Sequence, residues 1–304
     1  MKVNAHTHLE LTWASHLCPE PPGMAMPQWL ANLDKHWGGK QSLEEERART
    51  LTAVSSGITQ LKAARITHVG DITNTGLSIE PLLDSGLAGV VYIEVWGLKR
   101  ETAVDRFAWA RQLLEKYRPL ERNGLRIGLT PHAPYTVHPD VMKMVGDYAQ
   151  KEDVPLSIHV TEFPEENRAL LEGKGQTYEI ARRNGPVPVV GMRSVPYLAS
   201  LGVLDAKPLL AHVVNVNDED LDILAASSAK VAHCPRSNML LQCGRMPLEK
   251  MVARGIPVAF GTDSLASSPS LDVEDEAETA VSLHGDLVEG QIFEKMMENT
   301  EIWM

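Results

Sequence analysis

Eight short apolar runs recur along the sequence, each rich in β-branched residues, and segments with helical periodicity lie between them. The runs begin at Lys2, Ile66, Leu87, Leu125, Val154, Lys207, Ser228 and Ile256. Several are almost continuously apolar, as expected of parallel strands that helices cover on both faces. Eight units of strand followed by helix predict an α/β fold, the (β/α)8 or TIM barrel.

Composition and charge favour one globular domain over residues 1–304. The chain is 43% hydrophobic and 23% charged, and we see no linker, low-complexity tract or charge block that would divide it. A formal net charge of -11 at pH 7 argues against a nucleic acid or an anionic membrane as partner, because phosphates would be repelled. No apolar stretch is long enough to span a bilayer.

The cysteines indicate a reducing compartment. Cys18, Cys234 and Cys243 have neither the spacing of a disulfide framework nor that of a CxxC metal site. The first residues also lack the charged-then-apolar pattern of a secretion signal. We therefore expect a cytoplasmic protein.

The loop after the first strand, "TWASHLCPEPPGMAMPQWLANLDKHWGG", is long and rich in Pro, Met and Trp. Long loops on a barrel are usually functional. Trp13 in this loop, and Trp96 after the third strand, are candidate substrate contacts that could line an apolar pocket for a flat heterocycle. For each of them, ordinary core or loop packing is the alternative.

Polar residues recur where the strands end. In a barrel, those ends and the loops after them form the active site. Six of the eleven histidines and one aspartate fall there, namely His6, His8, His132, His159, His212, His233 and Asp263. A single histidine at such a position more often completes packing than binds a metal, but six on one rim favour a metal site.

The first two histidines make that prediction specific. Alternate residues on a strand share one face, so His6 and His8 both point into the barrel mouth. Two neutral imidazoles on one rigid face suit zinc or iron, and His159 and Asp263 are placed to supply further ligands. An aspartate buried at this rim without a cation would be costly.

The motifs around these residues resemble those of the amidohydrolase superfamily. They read "NAHTHLE", "TPHAPYT", "HVTE", "AHVVNVNDEDLDILA", "AHCPRSNMLL" and "GTDSLAS". They are most similar to the mononuclear deaminase and chlorohydrolase branch, which includes the adenosylhomocysteine/methylthioadenosine, aminodeoxyfutalosine and guanine deaminases and the triazine hydrolases. The resemblance covers nearly the whole chain.

The resemblance implies one divalent metal ion, with zinc as the first expectation and iron or manganese as alternatives. Its implied ligands are His6, His8, His159 and Asp263. Members of the superfamily with two metals bridge them with a modified lysine on the fourth strand. That strand reads "RIGLTPHAPYT" here and contains no lysine, so one ion is expected.

The resemblance also assigns catalytic roles. A divalent metal lowers the pKa of its bound water toward ~7, which gives a hydroxide that can attack a ring carbon bearing an amino group. Glu162 would shuttle the proton, His212 would hold the hydroxide, and Asp263 would carry a proton to the departing ammonia.

Four further residues are implied to contact the substrate or shape its pocket: His132, His233, Ser237 and Asn238. For His132 a turn histidine is the alternative, and for His233 a structural histidine. The implied partner is a small heterocycle, such as an aminated purine nucleoside.

The chain departs from the family pattern at both ends. Family members usually carry a small β-sandwich formed by segments before the first barrel strand and after the last helix. We expect most or all of that sandwich to be absent here. Formation of a homo-oligomer would cover the surface that the sandwich normally covers.

Three functions remain open at this point. The first is a hydrolytic deaminase that releases ammonia from a nitrogen heterocycle. The second is a chlorohydrolase or cyclic amide hydrolase that uses the same activated water. The third is a barrel without catalytic activity, which the intact set of expected ligands and the presence of Glu162 and His212 argue against.

Overall fold

Eight parallel strands form two four-stranded sheets in the computed structural model, which describes residues 1–36, 42–287 and 291–303. The first sheet has the order β1-β2-β3-β4 and the second the order β5-β6-β7-β8. The strands are β1 (Val3–Thr7), β2 (His68–Thr73), β3 (Ala88–Val95), β4 (Leu125–Pro131), β5 (Ser157–Val160), β6 (Leu209–His212), β7 (Lys230–His233) and β8 (Val258–Phe260). Each strand lies within one of the eight apolar runs.

Backbone contacts close the two sheets into one barrel. A parallel bridge between Leu129 and Leu156 joins β4 to the start of β5, and another between Thr7 and Asp263 joins β1 to the end of β8. The amides of Thr262 and Asp263 both donate to the carbonyl of His6, at 3.1 and 2.9 Å. The predicted (β/α)8 barrel is therefore confirmed.

Helices follow the strands and cover the outside of the barrel. They are α1 (Met26–His36), α2 (Leu43–Ala63), α3 (Ile79–Ser85), α4 (Arg100–Tyr117), α5 (Pro139–Glu152), α6 (Pro164–Glu172), α7 (Gln176–Ala181), α8 (Ser194–Ser200), α9 (Asp218–Ala226), α10 (Pro235–Leu240), α11 (Leu248–Ala253), α12 (Val273–Leu283) and α13 (Ile292–Glu298). Short 3₁₀ helices span Leu9–Leu17, Arg118–Leu120, Val203–Ala206, Gly285–Leu287 and Thr300–Trp303.

Local sequence explains where these helices begin. Ser42 and Glu45 form a capping box at the start of α2, since each side chain accepts a hydrogen bond from the other residue's amide. Pro139 occupies the first turn of α5, where a missing amide proton costs nothing, and Asp153 ends that helix in the left-handed conformation.

The long segment after β1 is more ordered than the sequence suggested. It contains the 3₁₀ helix Leu9–Leu17 and α1, although a loop was expected there. The Asp71 carboxylate accepts a hydrogen bond from the Leu9 amide at 2.8 Å and from the Thr7 hydroxyl at 3.2 Å. These contacts fix the chain on both sides of His8, and the helices become a wall of the barrel mouth.

The lower interior of the barrel is a closed apolar core. Buried side chains from the strands meet there with Ile302 of the last 3₁₀ helix: Val3, Ala5, Ile72, Val90, Tyr92, Leu209, Ala232 and Ala259. Because this core fills the end of the barrel at which the strands begin, the open end is the one at which they finish. The polar strand ends therefore line a single mouth.

The described residues contain neither a β-sandwich nor a helix that could cross a membrane. Among residues 1–36, 42–287 and 291–303 the eight barrel strands are the only strands, so these residues form no β-sandwich. Within the same ranges, every helix is too short or too polar to cross a bilayer.

Candidate metal and active site

Three imidazoles and one carboxylate converge at the floor of the barrel mouth. His8 Nε2 lies 3.2 Å from His6 Nε2 and 3.2 Å from His159 Nε2. Asp263 Oδ1 lies 3.4 Å from His8 Nε2 and 3.7 Å from His6 Nε2. The structure thus brings together the four residues proposed as metal ligands from β1, β5 and the loop after β8.

Hydrogen bonds cannot explain this convergence. His8 Nε2 faces two other ring nitrogens at once, and a nitrogen can point only one proton, in one direction. Burial lowers the pKa values of His6, His8 and His159, so all three rings are neutral near pH 7 and offer lone pairs. Several lone pairs and a carboxylate that face one point form a candidate site for a cation.

The spacing fits a small divalent ion. Ligands about 2.05 Å from a tetrahedral ion lie about 3.3 Å from one another. The four contacts above span 3.2–3.7 Å. Histidine nitrogen and a single carboxylate oxygen are also the donor types that zinc prefers. The residues present therefore fit the implied metal.

A hydrogen bond on the side of the ring away from the cluster fixes the tautomer of His159. Its Nδ1 lies 3.0 Å from the carbonyl oxygen of His132. A carbonyl oxygen only accepts, so Nδ1 carries the proton and Nε2 presents its lone pair to the cluster. Hydrogen bonds of this kind orient metal-binding histidines in many proteins.

Asp263 is oriented in the same way by two hydroxyls. Ser237 and Ser267 donate to Oδ2 at 2.7 and 2.8 Å, which leaves Oδ1 free to face the histidines. Burial alone would raise the pKa of Asp263, but the neighbouring imidazoles and the Ser237 hydroxyl outweigh burial and lower this pKa to about 2. The carboxylate is therefore ionised at neutral pH.

Glu162 and His212 lie beside the cluster. Glu162 Oε1 is 3.6 Å from His212 Nε2, and ligand atoms of Glu162, His212 and Asp263 all lie within 4.8 Å of one another. Burial, and then the charges of Asp263 and Glu166, raise the pKa of Glu162 well above its ordinary value. This carboxyl group holds a proton under conditions where an exposed glutamate would be ionised.

Whereas Glu162 holds a proton, His212 is in its neutral form, with one ring nitrogen unprotonated. Burial lowers its pKa, and its Nδ1 lies 2.9 Å from the Asn238 Oδ1. Since the amide oxygen accepts, Nδ1 carries the proton and Nε2 faces the cavity as an acceptor. Ser237 and Asn238, expected to shape the pocket, thus act through Asp263 and His212, and both lie on α10.

Another buried glutamate, Glu166, fixes the loop after β5. Glu166 is buried, and its carboxylate accepts hydrogen bonds from the Thr161 amide at 2.8 Å, the Glu162 amide at 3.1 Å and the Ser194 hydroxyl at 2.7 Å. These contacts fix the backbone from which the Glu162 side chain extends.

Above the cluster is a cavity of about 330 Å³. Its wall combines polar residues with an apolar side supplied by the 3₁₀ helix Leu9–Leu17 and α1, namely Leu11, Met26, Trp29, Leu30 and Leu33. Sequence reasoning missed several polar residues of the wall, among them Glu10, Asn74 and Glu94. A charged residue in the apolar run "AGVVYIEVWG" was the signal for Glu94.

His132 also lines this cavity, as expected. The Thr136 hydroxyl donates to the Ala133 carbonyl, so its oxygen accepts from His132 Nδ1 at 2.7 Å. His132 Nε2 is then an acceptor. Burial lowers the pKa of His132 to about 4, so the ring is neutral.

The structure places three other expected substrate contacts outside this cavity. Trp13 lies in a neighbouring depression, with the Arg49 guanidinium 4.0 Å above its ring. Trp96 lies just after the end of β3 and its side chain is 42% exposed. Its indole N–H donates to Asn74 Oδ1 at 3.4 Å. His233 is buried against Phe260 and His284, because strand alternation turns it toward the helices while Ala232 faces the barrel core.

Comparisons with known proteins agree with this geometry. A model of the amidohydrolase family matches residues 2–300. The chain is 36% identical over 293 residues to the aminodeoxyfutalosine deaminase of Deinococcus radiodurans, a match that covers 93% of this chain and 67% of the relative. It is also 36% identical over 289 residues to the 5-methylthioadenosine/S-adenosylhomocysteine deaminase of Nitratidesulfovibrio vulgaris, covering 93% of this chain and 59% of that protein.

Solved structures share the fold. A zinc-bound adenosine deaminase from Xanthomonas campestris superposes with a TM-score of 0.79 at 21% identity, covering 94% of this chain and 61% of that chain. The chain thus spans about two thirds or less of the length of these proteins. Because the family model matches nearly the whole sequence, and the histidine–aspartate cluster stands at the barrel mouth, the chain belongs to the amidohydrolase family.

Proposed function

We propose that this protein is a metal-dependent hydrolytic deaminase that removes the amino group of an aminated purine nucleoside or a similar nitrogen heterocycle. One observation carries the proposal. Three neutral imidazoles and an ionised carboxylate are linked by contacts of 3.2–3.7 Å at the floor of a cavity, beside a buried glutamate that holds a proton. The relatives from D. radiodurans and N. vulgaris, both named as deaminases, support it.

The proposed cofactor is one divalent ion, zinc before iron or manganese, held by His6, His8, His159 and Asp263. The zinc in the X. campestris structure supports that choice. When bound, such an ion would lower the pKa of a water molecule toward ~7 and so supply a nucleophile at neutral pH. Strand β4 carries no lysine that could bridge a second ion.

The chain's own residues then manage the protons. Glu162, protonated because it is buried, donates to the ring nitrogen beside the carbon under attack, where negative charge develops. Asp263 accepts a proton from the attacking water and passes it to the departing amine. His212 Nε2, an acceptor, orients that water.

His132 is the proposed contact for the substrate's amino group. Its Nε2 accepts, an exocyclic amine donates, and the ring lies next to His159 with centroids 5.0 Å apart. An amine held there would place its ring carbon near the cluster. The apolar side of the cavity would cover a flat heterocycle.

Compartment and assembly are also proposals. The three cysteines are unpaired, and two are buried, which supports a reducing compartment such as the cytoplasm. A small heterocycle is the proposed ligand, and a homo-oligomer is the proposed assembly.

The test combines metal analysis with a substrate panel. The purified protein should contain about one zinc, iron or manganese ion per chain and release ammonia from adenosine derivatives, guanine or cytosine. Chelation should abolish turnover, and added zinc should restore it. Chloride release from a chlorotriazine, or opening of a cyclic amide, would instead support the other hydrolase functions. Full metal occupancy with no turnover on any compound would overturn the proposal.

A further inference from the structure

Glu94 is a buried carboxylate that the proposed chemistry does not use. It is 7% exposed, lies at the end of β3 and lines the cavity together with His8 and His132. Its strand pairs with β4, which leads into His132, so Glu94 lies one strand away from the proposed amine contact. A carboxylate in this position is costly unless something pairs with it.

Glu10, a neighbouring acid in the same wall, is a carboxylate held by hydrogen bonds from within the protein. Glu10 accepts hydrogen bonds from the amides of Asn74 and Thr75 and from the hydroxyls of Thr73 and Thr75. Glu94 differs. Among the described residues, none donates a hydrogen bond to its side-chain oxygens, and the residue lines the cavity.

Arg106 limits what Glu94 can bind. Its guanidinium donates to the Glu94 backbone carbonyl at 3.0 Å and to Asn74 Oδ1 at 2.7 Å. Burial raises the pKa of Glu94, and the positive charge of Arg106 opposes that rise and favours the carboxylate. A cationic ligand would be repelled by that charge, and an anionic one by Glu94 itself. Neutral donors remain, and two carboxylate oxygens can accept from two adjacent hydroxyls at once.

We propose that Glu94 binds the vicinal hydroxyls of a ribosyl group, and so selects nucleosides over free bases and deoxygenated sugars. The inference rests on the proposed function, because it places the heterocycle against His132 and Glu162. With the base there, the attached sugar lies toward the next strand, β3. Glu94 would be a specificity residue that contacts the substrate without taking part in proton transfer.

The test compares adenosine with 2′,3′-dideoxyadenosine. We expect the wild type to prefer adenosine in kcat/KM on the order of 10- to 100-fold, the range that hydrogen bonds to a charged group supply. Glu94→Met, of similar length but without an acceptor, should reduce this preference to within about 3-fold by raising KM for adenosine. Glu94→Gln, which keeps one acceptor, should be intermediate. The exposed Glu115→Gln on α4 is the matched control and should keep the full preference.

A binding measurement covers variants that lose turnover. Calorimetry with inosine and 2′,3′-dideoxyinosine should show the same preference in the wild type and its loss in Glu94→Met, with metal content and thermal unfolding unchanged. If the wild type binds both equally, or if Glu94→Met keeps the preference, the inference is wrong. If the wild type releases no ammonia yet still prefers inosine in a Glu94-dependent way, only the proposed deaminase function fails.

Discussion

The barrel mouth has two arcs that are built differently. The reactive arc, so called for the chemistry proposed above, comprises the ends of β5, β6, β8 and β1. These ends carry His159, Glu162, His212, Asp263 and the His6–His8 pair. The recognition arc comprises the ends of β2, β3 and β4, which carry Asn74, Glu94 and His132. Both line one cavity, but they differ in backbone conformation and in how their side chains are held.

Backbone strain lies on the reactive arc. Thr161, His212, Val213 and Asp263 have positive φ values of 49°, 72°, 49° and 62°. Such conformations cost on the order of 1–3 kcal/mol each for residues other than glycine. Asn74, Glu94 and His132, the described residues of the recognition arc, do not have positive φ values. The reactive arc therefore uses folding energy to direct its side chains, and the recognition arc does not.

The arcs also differ in their surroundings. His159, His212 and Asp263 each receive a fixed hydrogen-bond partner on the side away from the cavity. On the recognition arc, His132 has such a partner, but no residue in the described part of the chain donates a hydrogen bond to the Glu94 carboxylate. This difference teaches that chemistry requires a fixed protonation state and direction, whereas recognition leaves hydrogen-bonding capacity open for the ligand.

The largest expected effect comes from removing a ligand on the reactive arc. His159→Ala should lose the metal and lower kcat/KM on the order of 10⁴-fold or more, because the activated water is lost with the ion. Metal analysis and ammonia release measure both. His16→Ala, an exposed histidine outside the cluster, is the control. If His159→Ala keeps its metal and its activity, the ligand set is wrong.

Glu162→Gln should separate proton transfer from metal binding. The metal should stay, and kcat should fall about 10³-fold, within the range of general acid–base catalysis. Because burial raises the pKa of Glu162, the wild type should be active while this group is protonated and should lose activity as pH rises through that raised pKa. The variant should lack this alkaline decline. A variant with the wild-type pH profile would exclude Glu162 as the acid.

Ser237→Ala tests the orientation of Asp263. Losing one of two hydroxyl donors should weaken metal affinity about 10-fold, at the lower end of what partners of metal ligands contribute. Competition with a chelator measures the affinity, and Ser55→Ala on the exposed face of α2 is the control. An unchanged affinity would show that Ser267 alone suffices.

The smallest effect is expected on the recognition arc. His132→Phe removes one acceptor and should raise KM about 5- to 10-fold, while metal content stays constant. Thr136→Val, which leaves the ring but removes its hydroxyl partner, should raise KM less. A large fall in kcat or loss of metal in His132→Phe would place this residue on the reactive arc instead, and the division into two arcs would not hold.

The reactive arc was predictable from sequence, and much of the recognition arc was not. His6 and His8 share a face because side chains alternate along a strand, and an acid at the end of the eighth run was conspicuous. Glu94 stands inside an apolar run, a pattern that by itself predicts a buried strand and not a residue lining a cavity. The residue type of Trp13 and Trp96 suits contact with a flat heterocycle, but neither residue lines the cavity.

The sequence by itself determined the barrel and the residue types at each strand end, because strand periodicity and apolar runs are local properties. Only the tertiary structure decided which side chains meet. Closure of β1 against β8 brings Asp263 to His6, residues that lie far apart in the sequence. Burial, which arises only in the packed barrel, then leaves the histidines neutral and Glu162 protonated.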